Sequence, residues 1–366
     1  MMKSTATRAE VRFKQLCCLG LGGEAVMPAL LRELHSIIPF FCGNFFFAKE
    51  SGALANICFD NPEVVYTTPI YMEEFHDRRD RELPGSGYAD AMRTQFGVHD
   101  LERALAVSVE VFRRSDMYNL IYRRLGYASD FLRLVIREGR RGLGSLTLYR
   151  SAGTRPWSPE AKRRLAALEP FFAYALKQPS EGCGALTESD VSGLLVVDQA
   201  GALVYSSAQG SRLLFLATHA RIAPDTVLAT PFRLPAPVID LCHNLSGIFG
   251  DDVSASAPIY HHRNVWGGFT FRAHWLNFQA PASGLIGITI SHQEPLSVAL
   301  MRRTDQLPLT RRQAQVCFLL AIGETSDRVA EKLGISTHTA ITHARAIYEK
   351  LDVHTRAELV NRLLAA

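Results

Sequence analysis

Several absences narrow what this chain can be. No stretch approaches the roughly eighteen uninterrupted apolar residues needed to span a membrane as a helix. The polar start from Met1 to Arg12 is not followed by an apolar core ending in a small-residue cleavage site, so no secretory leader is expected and the protein is placed in the cytoplasm. Seven cysteines, at 17, 18, 42, 58, 183, 242 and 317, include no Cys-x-x-Cys pair and no regular framework, which favours a reducing compartment over a disulfide scaffold. Phosphate-loop (G-x-x-x-x-G-K-[ST]), nucleophile-elbow (G-x-S-x-G) and zinc-protease (H-E-x-x-H) motifs are absent, which removes the commonest signatures of ATP-driven and hydrolytic chemistry. Charge of one sign is also scarce. With 40 Lys and Arg against 36 Asp and Glu, the formal charge is only +4, so any basic surface must be local.

What is present is enough for two or three domains, since 366 residues at about 150 per domain exceed one ordinary core. An apolar fraction of 47% and a charged fraction of 21% fit a globular protein without long disordered tracts. From Gly23 to Ile38 the residues Val26, Leu30, Leu34, Ile37 and Ile38 recur at helical spacing, and Pro39 closes the segment. The aromatic run Phe40 to Phe47 and the segment Leu54 to Phe59 read as strands separated by the Ser51-Gly52 turn. Residues 62–130 carry no clear period. The run Arg78 to Gly87 reads as a solvated loop, and helical pattern returns around Ser115 to Leu125. Strands 131–137 and 143–149 then form a hairpin, followed by a helix that Ser158 caps and Pro159 opens, with Leu165, Leu168, Phe172 and Leu176 on its buried face.

This order resembles a GAF-type sensor domain, most closely over Gly142 to Leu176. After the Pro179 to Gly184 linker, a hairpin at 193–206, a proline-punctuated helical middle and strands at 257–262, 268–278 and 285–291 resemble a PAS domain.

The final sixty residues are the most legible. Thr310 with Gln313 makes a capping box for a first helix carrying Val316, Leu319, Leu320 and Ile322. Thr325 or Ser326 caps a second, Gly334 ends it through a left-handed turn, and Ser336 or Thr337 caps a third that runs to about Leu351. Thr355 with Glu358 opens a fourth. On the third helix Ala340, Ala344, Ile347 and Leu351 form the i, i+4, i+7, i+11 stripe that must face the core. His338, Thr342, Arg345 and Glu349 then point the other way, with Ile341 on the flank. Arg345 can pair with guanine, Thr342 can bond a base or contact a thymine methyl, and Ile341 offers apolar contact only. Thr337 and Thr339, at the positive end of the helix, suit a phosphate.

The motifs Leu309-Thr310, Gly323, Val329-Ala330, Leu333 to Ser336, His338-Thr339, His343, Ile347 to Leu351, Val353 and Arg356 to Val360 resemble the helix-turn-helix of LuxR-type transcription regulators. That resemblance implies that the third helix enters the major groove and the fourth supports dimerisation. Gln313, Cys317, Asp327, Arg328 and Ile341 depart from the family's usual residues. Thr325 and Arg328, at the start of the second helix, complete the expected DNA-contact set. Eight Lys and Arg against six Asp and Glu over 307–366 leave only +2, so tight binding should need two copies on a two-fold site. Neither a phosphoacceptor receiver nor an acyl-homoserine-lactone pocket is discernible upstream.

The expected fold class is therefore an α+β multidomain chain: two α/β sensor domains, GAF-like and PAS-like, followed by an all-α four-helix domain of LuxR type. Boundaries are 1–178, a linker at 179–186, 187–295, a linker at 296–306, and 307–366. The expected function is a one-component, ligand-responsive regulator that binds double-stranded DNA as a homodimer, with a small-molecule effector and RNA polymerase as further partners, and no cofactor, catalytic residue or bound metal. Two rivals are weighed against it. Gly20-Leu21-Gly22-Gly23-Glu24-Ala25 fits the G-x-G-x-x-G/A spacing and Glu50 lies downstream, as in an NAD(P)-binding enzyme; the meagre strand before it and the non-alternating sequence after it favour a plain lead-in. A non-DNA interaction module is the other. His261, His262 and His274 lie on adjacent strands, but ordinary hydrogen bonding is favoured over metal ligation.

Overall fold

The computed structural model describes residues 7–79, 87–151, 153–177, 184–226, 234–249, 257–276 and 284–365. Most of the loop expected at 78–87, most of the 179–186 linker with Cys183, and the end of the strand expected at 268–278 lie outside them.

The first unit begins with α1 (Arg8–Cys17) and α2 (Gly23–Leu34). The first of these is not among the elements expected from sequence. Thr7 and Glu10 form a reciprocal capping box that starts it, and Phe13, Leu16 and Cys17 bury its inner face. Then come β1 (Cys42–Ala48), β2 (Leu54–Phe59), α3 (Val64–Ile70) continuing into a wider turn that kinks at His76 and Asp77, α4 (Tyr88–Thr94), β3 (Val98–Asp100), α5 (Leu101–Ala104) and α6 (Val109–Arg114). A single π turn at Tyr118–Tyr122 stands where a regular helix is expected over 115–125. Its Arg123 N–H donates to Tyr118 O at 2.8 Å, and the extra residue brings Tyr122 edge-on to Phe112, 5.1 Å between ring centres. The unit closes with β4 (Tyr127–Glu138), β5 (Arg141–Ser151) and α7 (Pro159–Lys177).

Its sheet has the order β2-β1-β5-β4-β3, all pairings antiparallel. Strand alternation divides the work between two faces. Phe45, Leu132, Leu134, Leu146 and Leu148 are fully buried on one face. There α1, α2 and α7 cover the sheet, with Phe172 of α7 stacked 6.3 Å from Phe45 and Phe13 of α1 edge-on to Phe172 at 4.9 Å. Asn44, Thr147 and Arg133 lie side by side on the other face, beneath α3, α6 and the π turn. The described helical segments of the unpatterned region 62–130 supply this cover.

The second unit comprises β6 (Leu186–Val197), β7 (Leu203–Ser206), α8 (Ala208–Thr218), α9 (Ala236–Phe249), β8 (Ile259–Asn264), β9 (Gly267–Leu276) and β10 (Leu285–Pro295). Its sheet order, β7-β6-β10-β9-β8, repeats that of the first when strands are counted within each sheet. Both sheets are wholly antiparallel, so each unit is α+β and not α/β as expected from sequence. Asp198 Oδ1 accepts from Ala200 and Ala202 N–H at 2.9 and 2.8 Å to close the first hairpin. Gly193 and Gly210 let α8 approach the backbone of β6; a Cβ on Gly210 would lie 2.5 Å from Leu194 O.

The two units dock through side chains that satisfy buried backbone. Asn56 Oδ1 accepts from Ile57 and Ile222 N–H, both at 2.9 Å, while its amide donates to Glu24 at 2.8 Å and to Ala220 O at 3.2 Å. Arg212 of α8 donates to Phe59 O at 3.0 Å, and Tyr66 donates to Ser211 at 3.1 Å.

The stretch expected as a linker at 296–306 is largely helix: α10 (Leu296–Thr304) follows β10 with no intervening residue and buries Val298, Ala299, Leu300 and Met301. Its apolar stripe is stabilised by packing against α11 (Arg311–Ala321) and α14 (Arg356–Ala365), which together with α12 (Ser326–Leu333) and α13 (Thr337–Leu351) make the last domain. Arg12 of α1 bonds Glu33 at 2.6 Å and also contacts Asp305 just beyond α10, which ties the first unit to the last. Among the described residues no helix is long and apolar enough to cross a membrane.

Candidate nucleic-acid interface

Local hydrogen bonds set the geometry of the C-terminal helices. Thr310 accepts from Gln313 N–H at 3.3 Å while Gln313 Oε1 accepts from Thr310 N–H at 3.0 Å, the expected box. Thr325 caps α12 by accepting from Arg328 N–H at 3.4 Å. Gly334 stands at φ 61°, its N–H bonded back to Glu331 O and that of Ile335 to Ala330 O, so the chain reverses into α13 within a short turn. Ser336, and not Thr337, caps α13 through Thr339 N–H at 3.1 Å. At its far end Asp352 takes the left-handed conformation, φ 53°, where sequence offered no glycine to mark the stop. Thr355 accepts from Glu358 N–H at 3.1 Å, but Glu358 closes on His354 N–H at 2.7 Å, one residue before the box position. That backbone bond holds the Glu358 carboxyl below the usual carboxylate range.

These ends fix which way α13 faces. Ala340, Ile347 and Leu351 are buried and Ala344 half-buried, while His338, Thr342, Arg345 and Glu349 are exposed. The wheel derived from sequence thus matches the solvent exposure. Ile341 is half-buried at the flank. Arg345 makes no hydrogen bond or ion pair with any described residue, leaving its planar donor fork available. Thr342 donates to His338 O at 2.9 Å, so outward it presents acceptor lone pairs and a methyl group.

Other candidate contacts are already engaged. Thr337 donates to Asp327 Oδ1 at 2.9 Å, and Thr339 Oγ1 lies 2.8 Å from Ser336 Oγ. Arg328 pairs with Glu331 at 2.6 Å. The Asp327 carboxylate therefore sits across the end of α13 where a phosphate is expected to dock. In sequence Asp327 shows only as a departure from the family's usual residues; the link to Thr337 is not visible there, because it joins two helices across the turn. It also missed Arg312, which donates to Leu333 O at 2.6 Å, and Arg303, which reaches from α10 to Leu363 O at 3.3 Å and to Leu364 O. Cys317 is buried beneath these helices, and burial pushes its thiol up to about 12.

The remaining sequence candidates are separated from this surface. His261 bonds Thr270 at 3.0 Å and His262 faces Tyr260 at 3.4 Å, and among the described residues no cluster of three His, Cys, Asp or Glu side chains could hold a metal. The glycine segment follows α1 where a dinucleotide fold requires a strand. Gly20 and Gly22, at φ 70° and 82°, make the turn into α2, Glu24 accepts from Asn56, and Glu50 pairs with Arg141. Phe46 of the aromatic run lines a cavity of about 120 Å³ in the first unit, whereas Phe45 and Phe47 belong to the opposite, packed face.

Residues 307–363 match the family described as bacterial regulatory proteins, luxR family, and the C-terminal domain is a LuxR-type helix-turn-helix. Over 63 residues, 17% of this chain, the sequence is 39% identical to the uncharacterized response regulatory protein YgeK of Escherichia coli strain K12, and the match covers 43% of that relative. Among solved structures, the chain is similar at 18% identity to a Vibrio cholerae VqmA dimer in the absence of target DNA, covering 49% of this chain and 84% of that one with a TM-score of 0.17. A second likeness, to the Escherichia coli DhaR(N)-DhaL complex, has 13% identity, 79% and 91% coverage and a TM-score of 0.25. Scores this low have no bearing on how the domains are arranged.

Proposed function

We propose that this chain is a one-component transcription regulator that binds double-stranded DNA as a homodimer, with α13 in the major groove and the two upstream units serving as GAF-like and PAS-like sensors. The observation that carries the reading is the solvent face of α13 in a LuxR-type domain, where Arg345 stands exposed and unpaired beside His338 and Thr342. Arg345 reads guanine, Thr342 and Ile341 read neighbouring bases, and the amides and hydroxyls of Thr337 and Thr339 position the backbone. Thr325 and Arg328 add contacts from α12. A net charge of only +2 over 307–366 supports binding by two copies on a two-fold site. The effector acts by preferring one arrangement of the DNA-binding domains over another, and the regulator engages RNA polymerase from that site.

Selection of genomic fragments on the full chain, followed by retention measured against salt, tests this function. A DNA-binding regulator enriches a two-fold sequence and loses affinity steeply as salt rises. Retention that is absent, or indifferent to salt, would mean that the helix-turn-helix serves a protein partner.

A further inference from the structure

The cavity of the first unit has a floor made by strand register. Asn44 of β1 lies opposite Thr147 of β5, and Thr147 lies opposite Arg133 of β4, so the three form one polar row across the middle of the sheet. Tyr149 and Phe131 border the row on one side, and Tyr122 closes over it from the π turn. Two features of this floor are unresolved by the protein itself. Asn44 is 6% exposed, and its Oδ1 accepts no hydrogen bond. Arg133 donates no side-chain hydrogen bond and makes no ion pair with a described residue; its nearest compensation is the Phe131 ring, 5.3 Å away. Burial pushes the Tyr88, Tyr122 and Tyr149 hydroxyls up, so none of them supplies a phenolate as counter-charge.

A buried acceptor without a donor is costly and is expected to be satisfied in the working state, and the half-buried Arg133 lines the same cavity with no anion beside it. We propose that this cavity binds a small aromatic carboxylate, its carboxylate on Arg133 and a hydroxyl or amino donor at the opposite end on Asn44. Asn44 and Arg133 stand two strand spacings apart, about 10 Å, a gap that two side chains and one para-substituted ring can close. The volume of about 120 Å³ suits a single ring, being close to that of engineered apolar cavities that take up benzene. Tyr149 and Tyr127, stacked at 4.1 Å, with Tyr122 edge-on to Tyr149 at 5.6 Å, give it an aromatic wall. A cationic ligand would meet Arg133 with like charge.

This deepens the reading of the chain as ligand-responsive and rests on it. The full chain is titrated calorimetrically, without DNA, with para-hydroxybenzoate, benzoate and methyl para-hydroxybenzoate. The hydroxy acid should bind best. Loss of the charge in the ester, or Arg133→Met titrated with the acid, should each weaken binding about 10- to 100-fold. Arg133→Met should leave the ester unaffected, and Asn44→Leu should lower the hydroxy acid to the level of benzoate. If Arg133→Met does not fold, Arg133→Lys and the acid-to-ester ratio in the unaltered chain decide. No binding of either acid, or equal binding of acid and ester, would overturn the proposal. Salt-dependent DNA retention is measured separately, so failure of the cavity and failure of the DNA-binding function are told apart.

Discussion

Replacing Arg345 by alanine separates base reading from general affinity for DNA. In the free protein the side chain is exposed and has no partner among the described residues, so its loss should change folding stability by no more than about 0.5 kcal/mol. On DNA a bidentate Arg-guanine pair discriminates by about 1–3 kcal/mol, and two copies on a two-fold site double this to about 2–6 kcal/mol. At about 1.4 kcal/mol per factor of ten, the specific complex should weaken by at least about thirtyfold. Random DNA should lose far less, since only one cationic side chain per protomer is removed. Fluorescence anisotropy at one salt concentration, on a selected operator and on a shuffled duplex of equal length, measures both. Equal losses on the two duplexes would refute the assignment of Arg345 to base reading, and an unchanged specific affinity would remove α13 from the groove.

Asp327→Lys should tighten binding to every sequence and steepen the dependence of log K on log salt by about 1 per protomer, because it replaces the carboxylate held by Thr337 with a cation; an unchanged slope would show that α12 stays clear of the backbone. Gly210→Ala should destabilise the chain by about 1–3 kcal/mol in urea unfolding, since the new methyl would lie 2.5 Å from Leu194 O and neither backbone can easily retreat. A midpoint equal to that of the unaltered chain would contradict the close approach of α8 and β6. His292, half-buried with its Nε2 bonded to Trp266 O at 2.8 Å, has its pKa lowered by desolvation. The unfolded chain therefore takes up this proton first, so the stability it contributes is present above the ordinary value of about 6.5 and is lost as pH falls below it. His292→Gln should flatten the fall of the thermal midpoint between about pH 6.5 and 5, and an identical fall in both proteins would rule His292 out as its source.

The C-terminal domain was legible because its information is local. Thr310 with Gln313, Thr325, Gly334 and Ser336 each specify a helix end within four residues, and the stripe from Ala340 to Leu351 then fixes the faces. α1 carried the same kind of signal in Thr7 and Glu10, which the glycine segment beside it obscured. The cavity was not legible for a different reason. Asn44, Thr147 and Arg133 become neighbours only through the register of three strands far apart in sequence, and no spacing within one segment reveals that. Its cover was equally hidden, since short helices and π turns stabilised by tertiary contact carry no sustained period. The apolar stripe of α10 could be read, but nothing separates it from the preceding strand.

That missing separation has a mechanical meaning. Pro295 is the last residue of β10 and Leu296 the first of α10, so there is no swivel between the second sheet and the helix on which the DNA-binding domain is mounted. A nine-residue helix is a rod about 13 Å long, and a tilt of about 10° at its sheet end carries the other end about 2 Å. Arg303, clamped to the carbonyls that end α14, hands that motion to the whole domain without play. The junction has the geometry of a crank: a small change in the twist of the second sheet displaces the C-terminal helices as one piece.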